Sequence, residues 1–184
     1  MTVRATRLAG AAALAALAAC VQPPSPLPPP PDGIGRIAVA EPVNRTGKKL
    51  DMDEHGAFAL VLGPKHSTVP EVLAADLRRE LAKRRFDVVA PHGTTPTLRV
   101  ELTRWEPHAT DWSAVTVDLR ATVVEAGMAR PLWTATRTGW VVPTPDADSR
   151  PEAWVAASRT VAERLVEGWR PGKPPAKTPS TPAR

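Results

Sequence analysis

The side chain with the clearest chemistry is a lone thiol. Cys20 is the only cysteine among 184 residues, so a disulfide framework is excluded. It sits directly behind the small and apolar residues Leu17-Ala18-Ala19. A thiol closing such a box suits transfer of a lipid to sulfur, with cleavage that leaves the cysteine as the new first residue. What precedes it fits that chemistry. Arg4 and Arg7 head the chain and an apolar run from Leu8 to Ala19 follows, broken only by Gly10, the charged, then apolar, then small layout of a secretory signal peptide. Two plainer readings exist: a chance cysteine beyond an ordinary signal peptide, or a membrane span. The run has 12 residues, whereas about 20 are needed to cross a bilayer, so the span is too short. Acylation would also remove Cys20 as a nucleophile.

No other arrangement makes a convincing active site. Gly-x-Ser-x-Gly, a Walker loop, paired cysteines and His-Glu-x-x-His are absent from the sequence. Asp51-Met52-Asp53-Glu54-His55 crowds carboxylates with an imidazole. Its spacing fits neither a helical His pair nor a calcium loop, so a solvated acidic loop is the better reading. His66, His92 and His108 stand alone, and the serines lack a nearby base. The expectation is therefore no catalytic residue, no metal and no cofactor. What remains is surface. Trp105 and Trp112 bracket Glu106-Pro107-His108-Ala109-Thr110-Asp111; an exposed pair of indoles would make a rigid amphipathic anchor for a partner, and packing under the loop is the alternative. Phe58, within Phe58-Ala59-Leu60-Val61-Leu62, is a further partner-binding candidate because the long connection from Gly47 to Ser67 holds it.

The totals bound the rest. Net charge is +5, with both signs mixed along the chain and no basic block that would suggest nucleic acid. Of 22 prolines, seven lie in 23–31 and five in 171–182. The chain thus divides into a signal peptide (1–19), the lipidated Cys20 with a proline-rich spacer (20–33), one domain (34–169) and a Pro/Lys tail (170–184) that reads as disordered. An extended polyproline spacer from Val21 to Pro31 would hold the domain about 30–35 Å from its anchor.

Within the domain, Gly35 to Val43 reads as a first strand ending around Pro42, and Asn44-Arg45-Thr46-Gly47 turns the chain. Thr68-Val69-Pro70-Glu71 is a capping box, and Val69, Leu73, Leu77 and Leu81 follow at spacing four, an amphipathic helix. Phe86 to Pro91 is the next strand, so strand, helix and strand make a parallel crossover. After that the period changes to two. Leu98, Val100 and Leu102 alternate with Arg99, Glu101 and Thr103, and Val115 to Val123 alternates over nine residues. With Leu132 to Val142 these strands form an antiparallel meander. Ser149-Arg150-Pro151-Glu152 repeats the capping pattern and opens a helix carrying Trp154, Val161, Leu165 and Trp169, with Ser158 in register. The expected fold is α+β, a two-layer sandwich of mixed sheet with both helices on one face.

That order of pieces, from Arg36-Ile37-Ala38-Val39 through Asp87-Val88-Val89-Ala90-Pro91 and Leu98-Arg99-Val100-Glu101-Leu102 to Pro131-Leu132-Trp133-Thr134 and a closing helix, resembles small bacterial envelope lipoproteins. The similar domains are those of CsgG, the TolB N-terminal region and PqiC-like auxiliary lipoproteins of ABC-type transport systems. The resemblance covers about residues 34–169 and brings no catalytic residues with it. Val21 stands where an Asp would retain such a lipoprotein in the inner membrane, so the expected address is the periplasmic face of the outer membrane. The function this implies is that of an auxiliary or scaffold protein of an envelope transport or assembly complex, acting by protein binding, with homo-oligomerisation among the expected contacts. The rival expectations are a lipid- or peptidoglycan-binding lipoprotein and a metal-dependent hydrolase built on the 44–67 loop.

Overall fold

The computed structural model describes residues 27–29, 33–52, 68–108 and 111–172. Cys20, Phe58, the Asp53 to His55 part of the acidic cluster and the tail beyond Gly172 lie outside the described residues. The elements are β1 (Arg36–Val39), β2 (Val43–Asn44), α1 (Val69–Lys83), β3 (Asp87–Val89), β4 (Thr97–Pro107), β5 (Ala114–Val124), β6 (Trp133–Pro143) and α2 (Arg150–Leu165). They form an α+β domain whose mixed sheet of six strands runs β3-β1-β4-β5-β6, with β2 beside β4. α1 packs on β1 and β3, α2 packs on β4, β5 and β6, and the helices pack on each other.

Both helix starts follow from local chemistry. Thr68 caps α1: its hydroxyl accepts from the Glu71 N–H at 3.4 Å, and the Glu71 carboxylate accepts from the Thr68 N–H at 3.0 Å, which settles two of the donors a helix leaves free. Ser149 caps α2 in the same way at 3.4 Å, but the Glu152 carboxylate reaches back one residue further, to the Asp148 N–H at 2.9 Å. α1 ends with Arg85 at φ 68. The Arg85 N–H donates to the Ala82 carbonyl and the Phe86 N–H to the Leu81 carbonyl, a Schellman closure made with arginine where glycine is usual.

Val69, Leu73, Leu77 and Leu81 are all fully buried, so the spacing of four in α1 is the stripe facing the sheet. Ser158 is small enough to let α2 approach α1, and its hydroxyl donates at 2.7 Å to the buried carboxylate of Asp76. The other oxygen of Asp76 pairs with Arg79. Arg84 ties the far ends of the helices together: its Nε donates at 2.7 Å to the Val166 carbonyl just past the end of α2, which also accepts from the Trp169 N–H at 3.1 Å.

The sheet departs from the expected strand in two instructive ways. The segment from Gly35 to Val43 is not one strand. β1 pairs in parallel with β3 and with residues 97–98 of β4, and β2 resumes the pairing at Glu101 and Leu102; Pro42, which has no N–H to give, falls in the gap. Second, β4 and β6 each carry one residue more than β5 at the same level, beside Asp118. The Asp118 carbonyl accepts from the Thr103 hydroxyl at 3.3 Å, and its carboxylate accepts from the Gly139 N–H. Gly139 has φ 60, which glycine adopts without a Cβ penalty.

Candidate functional site at the loop end of the sheet

Strand direction sorts the molecule into two ends. β1, β4 and β6 run away from the chain entry at Gly33 and β5 runs back toward it. The entry end therefore carries the β5–β6 connection and the C-termini of both helices. The opposite end carries residues 44–52, the β4–β5 connection and both helix N-termini.

At that opposite end the chain builds a tied loop. Asn44 organises it: its Oδ1 accepts from the Thr46 N–H and hydroxyl, and its Nδ2 donates to the Lys48 carbonyl at 2.8 Å, the local side-chain turn that Asn favours. Gly47, at φ 73, lets the chain reverse. Leu50 and Met52 are buried and pin the outgoing limb, while Asp51 pairs with Thr68 beside the start of α1. Lys48 reaches Glu106 near the end of β4 at 2.6 Å, and Arg104 approaches the same carboxylate at 2.7 Å. The hydrogen bond from Lys48, followed by that from Arg104, holds the Glu106 carboxyl below its ordinary 4.5. Glu41, Asn44, Lys48, Lys49, Asp51 and Thr68 line a cavity of about 560 Å³ between this loop and α1. Its walls mix both charges with the apolar Pro42 and Pro70, a surface for contact more than a nucleophile's pocket. Among the described residues, no three His, Cys, Asp or Glu side chains gather as a metal site. His92 and His108 are exposed, each near a threonine hydroxyl.

The two candidate indoles do not form an exposed pair. Trp105 is 1 % exposed and belongs to the core, which corrects its assignment as a partner anchor. The reason is the irregularity beside Asp118: simple alternation from Leu98 would put position 105 on the polar face, and one extra residue between Leu102 and Arg104 moves it to the helix side. Trp112 is half-buried at φ 53, packed against the core, with its carbonyl accepting from the buried Thr144 hydroxyl. Asp111 stays ionised more readily than usual because the Ser113 hydroxyl, then its N–H, donate to it. Asp118 is the residue that sequence reasoning missed; the only trace of it in the sequence is a glycine, Gly139, inside a threonine-rich strand.

At the entry end, residues 27–29 of the expected spacer rest on the domain. Leu27 packs against the core, and the Trp133 Nε1–H donates to the Pro28 carbonyl at 3.4 Å. Trp169 meets Trp133 edge-on at a centroid distance of 5.0 Å and Phe86 at 6.3 Å. The Gly172 N–H donates to the Ile34 carbonyl at 2.9 Å. Leu27 and Pro28, within the stretch read as a spacer, thus have contacts with the domain, and the rest of that stretch, residues 21–26 and 30–31, lies outside the described residues.

No family model matches the chain, and no curated protein matches it. Among solved structures, the fold is similar to that of protein XCC0632 from Xanthomonas campestris, of family DUF330. The identity is 19%, 77% of this chain and 86% of that chain are covered, and the TM-score is 0.50. PelC from Paraburkholderia phytofirmans, solved as a dodecamer, is similar at 12% identity over 80% of this chain and 96% of that chain, with a TM-score of 0.48. At these identities the likeness is one of fold. XCC0632 is of family DUF330, a different family from the CsgG, TolB N-terminal and PqiC-like proteins, which corrects the resemblance drawn from the sequence.

Proposed function

We propose that the chain is a lipid-anchored envelope protein, held through Cys20 at the periplasmic face of the outer membrane, that acts as a binding module of an envelope transport or assembly complex. The observation that carries this reading is the separation of the two ends. Pro28 and Trp169 both meet Trp133, and Gly172 bonds to Ile34, so a tether from Cys20 joins the domain at that end. The tied 44–52 loop, its cavity and Trp112 stand at the other. An anchor on one end leaves the loop end free to meet a partner, and mixed-sign charge with half-buried aromatic surface is what transient protein interfaces use. Self-association belongs to the same reading. β6 is an 11-residue edge strand with no neighbour on its outer side among the described residues, and such edges pair with a further strand unless blocked. The test is crosslinking from a photoreactive residue at Lys49 in the anchored protein. Adducts with one envelope protein, lost when the crosslinker moves to Arg99 on the open sheet face, support the reading. An equal adduct pattern from both positions refutes it.

A further inference from the structure

The entry end has a surface of its own. The β5–β6 connection, residues 125–132, turns at Gly127 (φ 85) and closes with the Leu132 N–H donating to the Val123 carbonyl. It presents Met128 at 57% exposure and Leu132 at 37%, two of the four large apolar side chains exposed among the described residues. The same end carries three exposed cations: Arg85, which precedes Phe86, Arg170, which follows Trp169, and Arg130, two residues before Leu132, with Phe86, Trp169 and Trp133 joined in one buried aromatic cluster. None of the three cations has an ion pair among the described residues. Of the acids on this end, Asp87 is held by Arg36, Glu80 by Lys83 and Arg84, and Glu167 by Arg164, leaving Glu125 and Glu163 as the opposing charges among the described residues.

We propose that this end docks on an anionic phospholipid surface, with Met128 and Leu132 entering the headgroup region and Arg85, Arg130 and Arg170 facing lipid phosphates. The inference rests on the reading of Cys20 as lipidated. Chain length then decides which end meets the bilayer. Cys20 lies seven residues before Leu27, and seven residues reach at most about 25 Å. Leu27 itself packs at the entry end. Strands of 11 residues such as β4, β5 and β6 span about 35 Å, so the loop end is carried well clear of the anchor while the entry end stays within its reach. Apolar side chains together with cations are the pattern by which a surface element binds anionic lipid.

The experiment uses the full acylated chain in vesicles of phosphatidylethanolamine with phosphatidylglycerol. With Cys20 acylated, Met128→Cys introduces the only free thiol, and an environment-sensitive dye placed there is compared with the same dye at Lys49→Cys. The proposal expects a blue-shifted dye at position 128, shielded from aqueous iodide by about threefold or more relative to position 49, and quenched by spin-labelled lipid. A chain that floats with the vesicles but whose dye at 128 is as accessible to iodide as that at 49 overturns the proposal and leaves the anchor standing. Shielding that follows protein concentration and not lipid overturns it in favour of contact between copies. A chain that fails to float overturns the anchor reading itself.

Discussion

Replacing Ser158 with Ala tests the joint between the helices at a buried polar contact. The hydroxyl donates at 2.7 Å to Asp76, whose residue is 3 % exposed, and Ser158 itself is fully buried. Ala fits the same space, so the loss is that of one donor to a buried carboxylate, and hydrogen bonds to charged groups contribute about 1.5–3 kcal/mol. Arg79 remains on the other carboxylate oxygen and its side chain is 47 % exposed, so it can shift toward the vacated side. This puts the cost in the lower half of that range, about 1.5–2 kcal/mol. Unfolding entropy of about 2.1 cal/mol/K per residue over roughly 140 residues converts this to a fall in Tm of about 5–7 °C. Asp76→Ala costs as much or more, since it strands the Ser158 hydroxyl and frees Arg79. The double variant should fall short of the sum by about 1 kcal/mol or more, because the contacting groups are lost only once. Urea and thermal unfolding of the four proteins read this directly. A Ser158→Ala melt within about 1 °C of the parent, or full additivity in the cycle, would refute the claim that this contact fixes the packing of α1 on α2.

Three further outcomes follow from the geometry. Trp105→Ala empties a core site and should cost about 3–5 kcal/mol in unfolding, whereas Trp112→Ala, at a half-buried loop position, should lower partner capture by more than it lowers stability; equal losses in pulldown and melt would remove Trp112 as a contact. Asp118→Ala removes the acceptor of the Gly139 N–H and should cost about 1–2 kcal/mol, with amide exchange rising at Thr138 to Trp140 before the rest of β6. Glu106 has a folded pKa below its ordinary 4.5, so the ionised form is favoured by folding: the tie from Lys48 is complete above about 4.5 and is lost as pH falls through the lowered value. Protection factors for amide exchange in residues 44–50, corrected for the intrinsic pH dependence of exchange, should therefore be higher near about pH 6 than near about pH 3, relative to those of the α1 core.

What the sequence made legible was whatever short-range chemistry decides. The Thr68 to Glu71 box and the spacing of Val69, Leu73, Leu77 and Leu81 specify α1 without reference to the rest of the chain. The nine-residue alternation in β5 likewise names its buried face. What was not legible depends on neighbours. That β4 pairs with β1 and β2 on the same side is fixed only when strands assemble, and the position of Trp105 depends on one extra residue that alternation does not announce. The turn of Leu27 and Pro28 onto Trp133 was hidden for another reason: proline-rich composition predicts an extended chain but says nothing of what that chain rests against. Asp118 illustrates the same limit, since nothing about an aspartate among alternating residues signals that it holds irregularities on both sides.

The proposed orientation of the domain, role of its entry end and freedom of its loop end all rest on the proposed acylation at Cys20. Intact-mass analysis of the protein extracted from envelopes, together with fractionation of the Cys20→Ser variant, addresses it most directly. The account predicts a mature chain beginning at Cys20 and bearing fatty acyl groups, with the serine variant released from the membrane fraction. A parent chain recovered soluble with Met1 to Ala19 still attached would contradict it.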